Sequence, residues 1–272
     1  MEKEKRRRVF LGVGHGGKDP GAVGMVREAD ANLQMALGMQ AELERHGVTV
    51  GISRTADEDD PLTEEIKEAN AFAPDVAVEL HNNAGGNNNG ADGFEVYCQT
   101  NGYQAQSRRL AACIEARVVA SGQQSRGVKT KRNAGGSDYF GWLRRVRAPA
   151  VLCEGFFVDS ADSRDYDTAA EQQEYGRVCA WGVLDYLGIA LQPQDSRRYT
   201  VQVGAFREEP NAQRLAEKLR ASGYFVQLHR TGQGAEKQVR VCVGRFDTRA
   251  KAKQTAQELN RKGFEGWVKV CG

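Results

Sequence analysis

Apolar positions in the first two-thirds of the chain alternate between short strand-like runs and helical stripes. Val9, Phe10, Leu11 and Val13 form one such run, and it ends in a loop punctuated by Gly16-Gly17 and Pro20-Gly21. That is the pattern of a buried parallel strand feeding a functional loop. Behind Glu28 and Asp30, Leu33, Leu37, Gln40 and Leu43 recur at helical spacing until His46-Gly47 stops them. Residues 48–53 read as a strand, 61–73 as a helix, and 75–80 as a strand that delivers His81 into the loop NNAGGNNNG. Residues 93–98 alternate as a strand, 103–120 read as a helix, 150–153 as an apolar strand that delivers Glu154, and 169–187 as a last helix. This βα alternation predicts an α/β domain with a mostly parallel, twisted sheet flanked by helices.

The pattern changes at residues 191–198, LQPQDSRR, which are polar, carry a proline and show no period. They read as a linker, which bounds a first domain at 8–190 and a second at 199–272. In the second, Val201, Val203, Gly204 and Phe206 match Val241, Val243, Gly244 and Phe246 at an offset of 40 positions. Ala216, Leu219, Gly223 and Tyr224 match Ala256, Leu259, Gly263 and Phe264 at the same offset. Two copies are too few for a solenoid. A duplicated strand-helix unit predicts a small βαββαβ, ferredoxin-like sheet with its helices on one face.

Composition narrows the function classes. With 38 basic and 36 acidic residues among 272, the net charge of +2 gives no case for a nucleic-acid partner, and the basic run before Val9 reads as a solvated tail. No apolar stretch is long enough to span a bilayer, and the N-terminal residues lead into the first strand without a signal-peptide core. Synthesis in the cytosol is the expectation. The six cysteines include no CxxC pair and read as reduced and mostly buried.

The first loop tests two chemistries. Gly12, Gly17 and Lys18 fit the start of a phosphate-binding loop, but Asp19 replaces the hydroxyl residue and Pro20 removes a donor, so a nucleotide site is rejected. His15 lies at the carboxyl end of its strand, where ligands bind in open α/β sheets. His15, Glu28 and His81 are candidate ligands: two imidazoles and one carboxylate suit zinc and leave a position for water. Glu154 is then free to take a proton and return it to a leaving amine. Taken singly, each residue is more often structural than functional. His46 and His229 are assigned no chemistry; His46 reads as a cation favoured at a helix end.

Together these residues carry a resemblance. HGGKDPGAVG with Glu28 downstream, ELHNNA at His81, Arg126-Gly127-Val128 and APAVLCEGFF around Glu154 resemble, in the family's order, the zinc-dependent N-acetylmuramoyl-L-alanine amidases called Amidase_3. The resemblance implies one zinc ion on His15, Glu28 and His81, and Glu154 as the catalytic glutamate. The scissile amide would join the lactyl group of muramic acid to L-alanine. Glu79 departs from the small residue more common in the family; alternation puts it on the His81 side, either orienting the imidazole or paired beneath the sheet. A nucleophilic Cys153 would need a basic partner, and none is evident. Residues 82–89 read as a flexible connection at the cleft rim, and Phe140 and Trp142 as cleft or core residues.

YTVQVGAF, VRVCVGRF and GWVKV resemble a SPOR domain, which implies binding to denuded glycan strands of peptidoglycan. Gln202, Arg240 and Trp267 are the candidate glycan contacts on the exposed sheet face. The expectation is a monomeric, two-domain murein hydrolase that reaches the wall after lysis, by phage-type release or from a sporulating mother cell. The rivals are an inactive amidase fold used as a glycan-binding module and a zinc peptidase acting on stem peptides.

Overall fold

The computed structural model describes residues 6–85, 91–192, 198–232 and 237–271, and the chain divides into two units, Met1–Gln192 and Pro193–Gly272. The first five residues, the loop beyond Gly85 and the middle of the expected linker, 193–197, lie outside the described residues.

In the first unit the elements run β1 (Arg8–Val13), α1 (Glu28–Arg45), β2 (Thr49–Ile52), α2 (Leu62–Phe72), β3 (Val76–Asn83), β4 (Phe94–Cys98) and α3 (Gln104–Ala120). They continue with β5 (Ser125–Lys129), α4 (Gly141–Arg145), β6 (Ala150–Phe157), a 3₁₀ turn (Ala161–Tyr166) and α5 (Ala169–Leu187). The sheet order is β2-β1-β3-β6-β4-β5. Every pairing is parallel except β4 with β6, which is antiparallel. This is the α/β architecture expected, with the edge pair β4 and β5 running against the other four strands. The strand β5 and the short helix α4 carry no long apolar period and were not anticipated from the pattern.

Strand alternation sorts the core into two layers. Val9, Leu11, Val78, Leu80, Val96, Val151 and Cys153 face α1, α3 and α5. Phe10, Ala77, Ala150 and Leu152 face the other side, against Ile66 of α2 and the fully buried Trp142 of α4. Trp142 is therefore a core residue, with half-buried Phe140 packed on the same cluster. Glu79, His81, Glu95 and Glu154 alternate with the first set, so all four share the α2 face.

The two longest helices approach closely because glycines line the crossing. A Cβ on Gly176 would lie 1.8 Å from the Met35 carbonyl oxygen, and one on Gly38 2.0 Å from that of Gln173. At the start of α5, Thr168 and Glu171 form a reciprocal capping box. At the end of α1, the buried His46 imidazole places Nδ1 2.8 Å from the Glu42 carbonyl oxygen and accepts the Gln192 N–H at Nε2, 3.0 Å away. An accepting Nε2 requires the neutral ring, so His46 is a satisfied connector, not the cation expected. It also docks residue 192 on the first unit, inside the segment expected to be linker.

The second unit runs β7 (Arg198–Phe206), α6 (Glu209–Ala221), β8 (Val226–Thr231), β9 (Gln238–Phe246), α7 (Arg249–Arg261) and β10 (Trp267–Cys271). Its antiparallel sheet has the order β10-β7-β9-β8. The duplication is visible in the bounds, since β9 and α7 repeat β7 and α6 at an offset of 40. Val201, Val241, Val243 and Val268 pack against Ala212, Ala216 and Leu219 of α6 and Ala252, Ala256 and Leu259 of α7. Gln202, Arg240 and Trp267 alternate with these core residues, so they lie on the face without helices, half-buried.

Candidate metal centre

The loop after β1 is shaped by what it must fit around. A Cβ on Gly14 would lie 2.2 Å from the His81 ring, so only glycine lets the two segments pass. The Gly14 carbonyl is held by buried side chains, at 2.9 Å from Asn32 Nδ2 and 3.2 Å from Arg54 Nη2. His15 itself has φ of 63°, the left-handed region that costs a non-glycine residue about 1–3 kcal/mol. Two backbone hydrogen bonds between Gly16 and Asp19, at 2.8 and 3.0 Å, close the turn that holds it there. The N–H groups of Gly17 and Lys18 donate to Asp57 and Asp59 of the same chain, so the loop cradles its own carboxylates, not a phosphate.

Folding brings His15, Glu28 and His81 together: their ligand atoms lie within 4.8 Å of one another. His15 Nε2 is 3.3 Å and His81 Nδ1 3.0 Å from the same Glu28 oxygen, and the two rings meet edge to face at 4.9 Å. Glu28 starts α1 and is fixed by the backbone N–H groups of Ala22 and Asn82 at 2.8 and 3.1 Å. The outer nitrogens are tied as well. His15 Nδ1 meets Asp19 at 2.8 Å, and His81 Nε2 faces Glu79 at 3.5 Å. A carboxylate on the far nitrogen of each imidazole fixes its orientation, which is how histidine ligands are prepared for a metal. Asp19 was not singled out from sequence as a site residue; the signal available was its position four residues after His15.

Charges follow the geometry. Burial pushes the Glu28 carboxyl up, but the hydrogen bonds to His15 and His81 prevail and hold it far below the usual carboxylate range. Hydrogen bonding to Glu28 raises His15 despite partial burial. Burial lowers His81, but its contacts with Glu28 and Glu79 more than reverse this. Two imidazole nitrogens and a carboxylate oxygen that converge on one point fit a divalent metal, which would take the place of protons on the rings.

Glu154 lies beside His81 on β6, in register across the β3–β6 pair, and its carboxyl group makes no hydrogen bond among the described residues. Burial first, then the charges of Glu28, Glu95 and Glu79 against the opposing His81, push its carboxyl up to about 7. It can thus both hold and release a proton near neutrality. Cys153, by contrast, points into the opposite core layer and burial raises its thiol well above the usual value, so it has no nucleophilic role.

A cavity of about 530 Å³ opens on His15 and His81 and is lined also by Asp19, Asp60, Glu65 and Glu79. Glu65, on α2, accepts the Val13 N–H at 2.8 Å and the Ser53 hydroxyl at 3.2 Å. Burial and the charge of Glu79 push its carboxyl well up. One oxygen of the buried Glu79 has no hydrogen-bond partner among the described residues. Sequence reasoning did not single out Glu65, which follows a helical pattern like any surface glutamate.

Both units of the chain match known protein families. Residues 9–184 match the family model described as N-acetylmuramoyl-L-alanine amidase (Amidase_3), and residues 195–269 match the SPOR domain. The chain is 32% identical over 222 residues to the sporulation-specific N-acetylmuramoyl-L-alanine amidase of Bacillus subtilis, covering 80% of this chain and 82% of that protein. Among solved structures, it resembles the catalytic domain of CwlV, an amidase from Bacillus (Paenibacillus) polymyxa, with a TM-score of 0.60 and 27% identity over 68% of this chain and 99% of that one. An N-acetylmuramoyl-L-alanine amidase from Clostridium difficile 630 gives a TM-score of 0.62 at 28% identity, over 68% and 98% of the two chains.

Proposed function

Because the chain belongs to the N-acetylmuramoyl-L-alanine amidase family, we propose that it holds one zinc ion on His15, Glu28 and His81 and moves the reaction's proton on Glu154. The activity is hydrolysis of the amide between the muramic acid lactyl group and L-alanine in peptidoglycan, with a SPOR domain that targets the enzyme to glycan. The observation that carries the metal reading is the convergence of the three ligand residues within 4.8 Å, with Glu154 adjacent in register.

Zinc in this position supplies Lewis acidity that polarises the amide carbonyl and acidifies water. The protein's own residues do the rest. Asp19 and Glu79 orient the two imidazoles. As a carboxylate, Glu154 accepts a proton from the attacking water; it then donates that proton to the alanine nitrogen as the C–N bond breaks, so the products are a carboxylic acid and an amine. Gln202, Arg240 and Trp267 form the glycan-binding face of the SPOR domain, combining an amide, a guanidinium and an aromatic ring suited to sugar hydroxyls and C–H faces. The sporulation-specific relative supports action on the wall during sporulation.

Digestion of purified peptidoglycan with and without a chelator, followed by mass analysis, tests this reading. Release of stem peptides with a free L-alanine amino group, lost on chelation and restored by zinc, is expected. Cleavage within the stem peptide would overturn it in favour of a peptidase, and intact sacculi that carry down the protein would favour a binding module.

A further inference from the structure

Next to Glu154, on the side away from the zinc ligands, the sheet presents a second cluster. Glu95 of β4 stands opposite Glu154 in the antiparallel pair, and on its other side it receives Arg126 Nε at 2.8 Å and the Lys129 ammonium. Arg126 and Lys129 are three positions apart on β5, and strict alternation would put them on opposite faces. The register shows why they share one. Phe94 pairs with Ser125 but Val96 with Val128, so β5 carries an extra residue, and Gly127 absorbs it with φ of 98°. A bulge of this kind re-aims side chains. Here it turns both cations towards Glu95 and the site.

The cluster is not saturated. Two cations face one carboxylate, which they and the Tyr97 hydroxyl hold down to about 2 against the upward push of burial. Arg126 gives Glu95 only its Nε; its terminal Nη groups donate to nothing among the described residues. The guanidinium lies over the Phe157 ring, 5.0 Å from the centroid, so its plane is fixed while its side chain remains 38% exposed. A planar, pre-oriented fork with a free edge is suited to a carboxylate.

Distance selects which carboxylate. Neighbouring strands are about 4.8 Å apart, so β5 lies about 10 Å from β6 and the long Arg126 side chain covers part of that span. In the substrate, the backbone from the alanine nitrogen to a carboxylate on the following residue measures about 6 Å when extended. Resting on the amidase reading, we propose that the free edge of Arg126, with Lys129 beside it, binds the carboxylate of the stem-peptide residue after L-alanine. This contact would hold the peptide so that the scissile nitrogen stays at Glu154.

The test uses the zinc-loaded full chain and two substrates that differ in one group: N-acetylmuramoyl-L-alanyl-D-isoglutamate and its amide, the isoglutamine form. Wild type should favour the carboxylate substrate in kcat/KM by about 10-fold or more, mainly through KM. R126Q should bring that ratio close to one, whereas R126K should keep part of it. A wild-type enzyme without preference, or an R126Q that slows both substrates equally, would overturn the subsite. Calorimetry of the two alanyl dipeptides on wild type gives a measurement independent of the variants' folding, with the carboxylate dipeptide binding tighter. No turnover of either substrate alongside that binding preference would instead sink the amidase reading and leave the subsite standing.

Discussion

Replacing Glu154 by glutamine separates the proton this residue carries from the space it fills. Its carboxyl stands at about 7 in the folded chain against an ordinary 4.5, chiefly because burial disfavours the ionised form. That displacement corresponds to about 3 kcal/mol against the carboxylate, and water at its partly accessible edge reduces the figure to about 2 kcal/mol. Because the folded state binds this proton more tightly than the unfolded chain does, the contribution is fully present below pH 4.5 and is lost as pH rises through about 7. Glutamine cannot titrate. Zinc-free E154Q should therefore match a zinc-free wild type at pH 4.5 and exceed it by about 2 kcal/mol at pH 8. Urea unfolding of chelated protein, followed for the unit that contains Trp142 and Trp181, measures the difference. A gap that does not change with pH, or a more stable wild type at pH 8, would refute the reasoning. With zinc restored, the same variant should retain the metal yet lose activity by about 10²–10⁴-fold, the usual range for a positioned acid-base group.

Asp19→Asn should weaken zinc binding by about 10–100-fold, read by chelator competition, because the His15 ring loses the carboxylate that orients it; unchanged affinity would show the contact to be incidental. Gly176→Ala should lower the urea midpoint by the equivalent of about 3 kcal/mol or more, since its methyl group would collide with the Met35 carbonyl; wild-type stability would disprove so close a helix crossing. Alanine at Gln202, Arg240 and Trp267 together should abolish co-sedimentation with denuded glycan, and retained pelleting would move the binding face elsewhere.

The parts of the site legible in the sequence are those where residue type and strand position coincide. His15 closely follows an apolar strand, while His81 and Glu154 lie in the second halves of β3 and β6, strands that run on past the apolar stretches expected from the pattern. The period of two alone also places Glu79 on the His81 side, where the two side chains meet. Other features depend on partners far away in the chain. Asp19 reads as a loop acid until the left-handed turn at His15 brings it to Nδ1. The charge expected on His46 fails because a backbone N–H 146 residues away claims its Nε2. The reversed strand β4 follows a loop whose length permits either direction, so nothing local selected one.

The clearest divergence between pattern and structure is on β5, and it bears on function. A strict alternation assigns Arg126 and Lys129 to opposite faces, where only one of them could face Glu95. A single inserted glycine reverses that assignment. The result is a row across one sheet face, with the His81 imidazole, the uncommitted Glu154 and then Glu95 with its two cations. Charge along the row therefore changes from a metal-binding set that attracts cations to a fork that attracts an anion, and Glu154 sits between them with no hydrogen bond to restrain its proton. A stem peptide that is neutral at the scissile amide and negative one residue further on matches that polarity in one direction only.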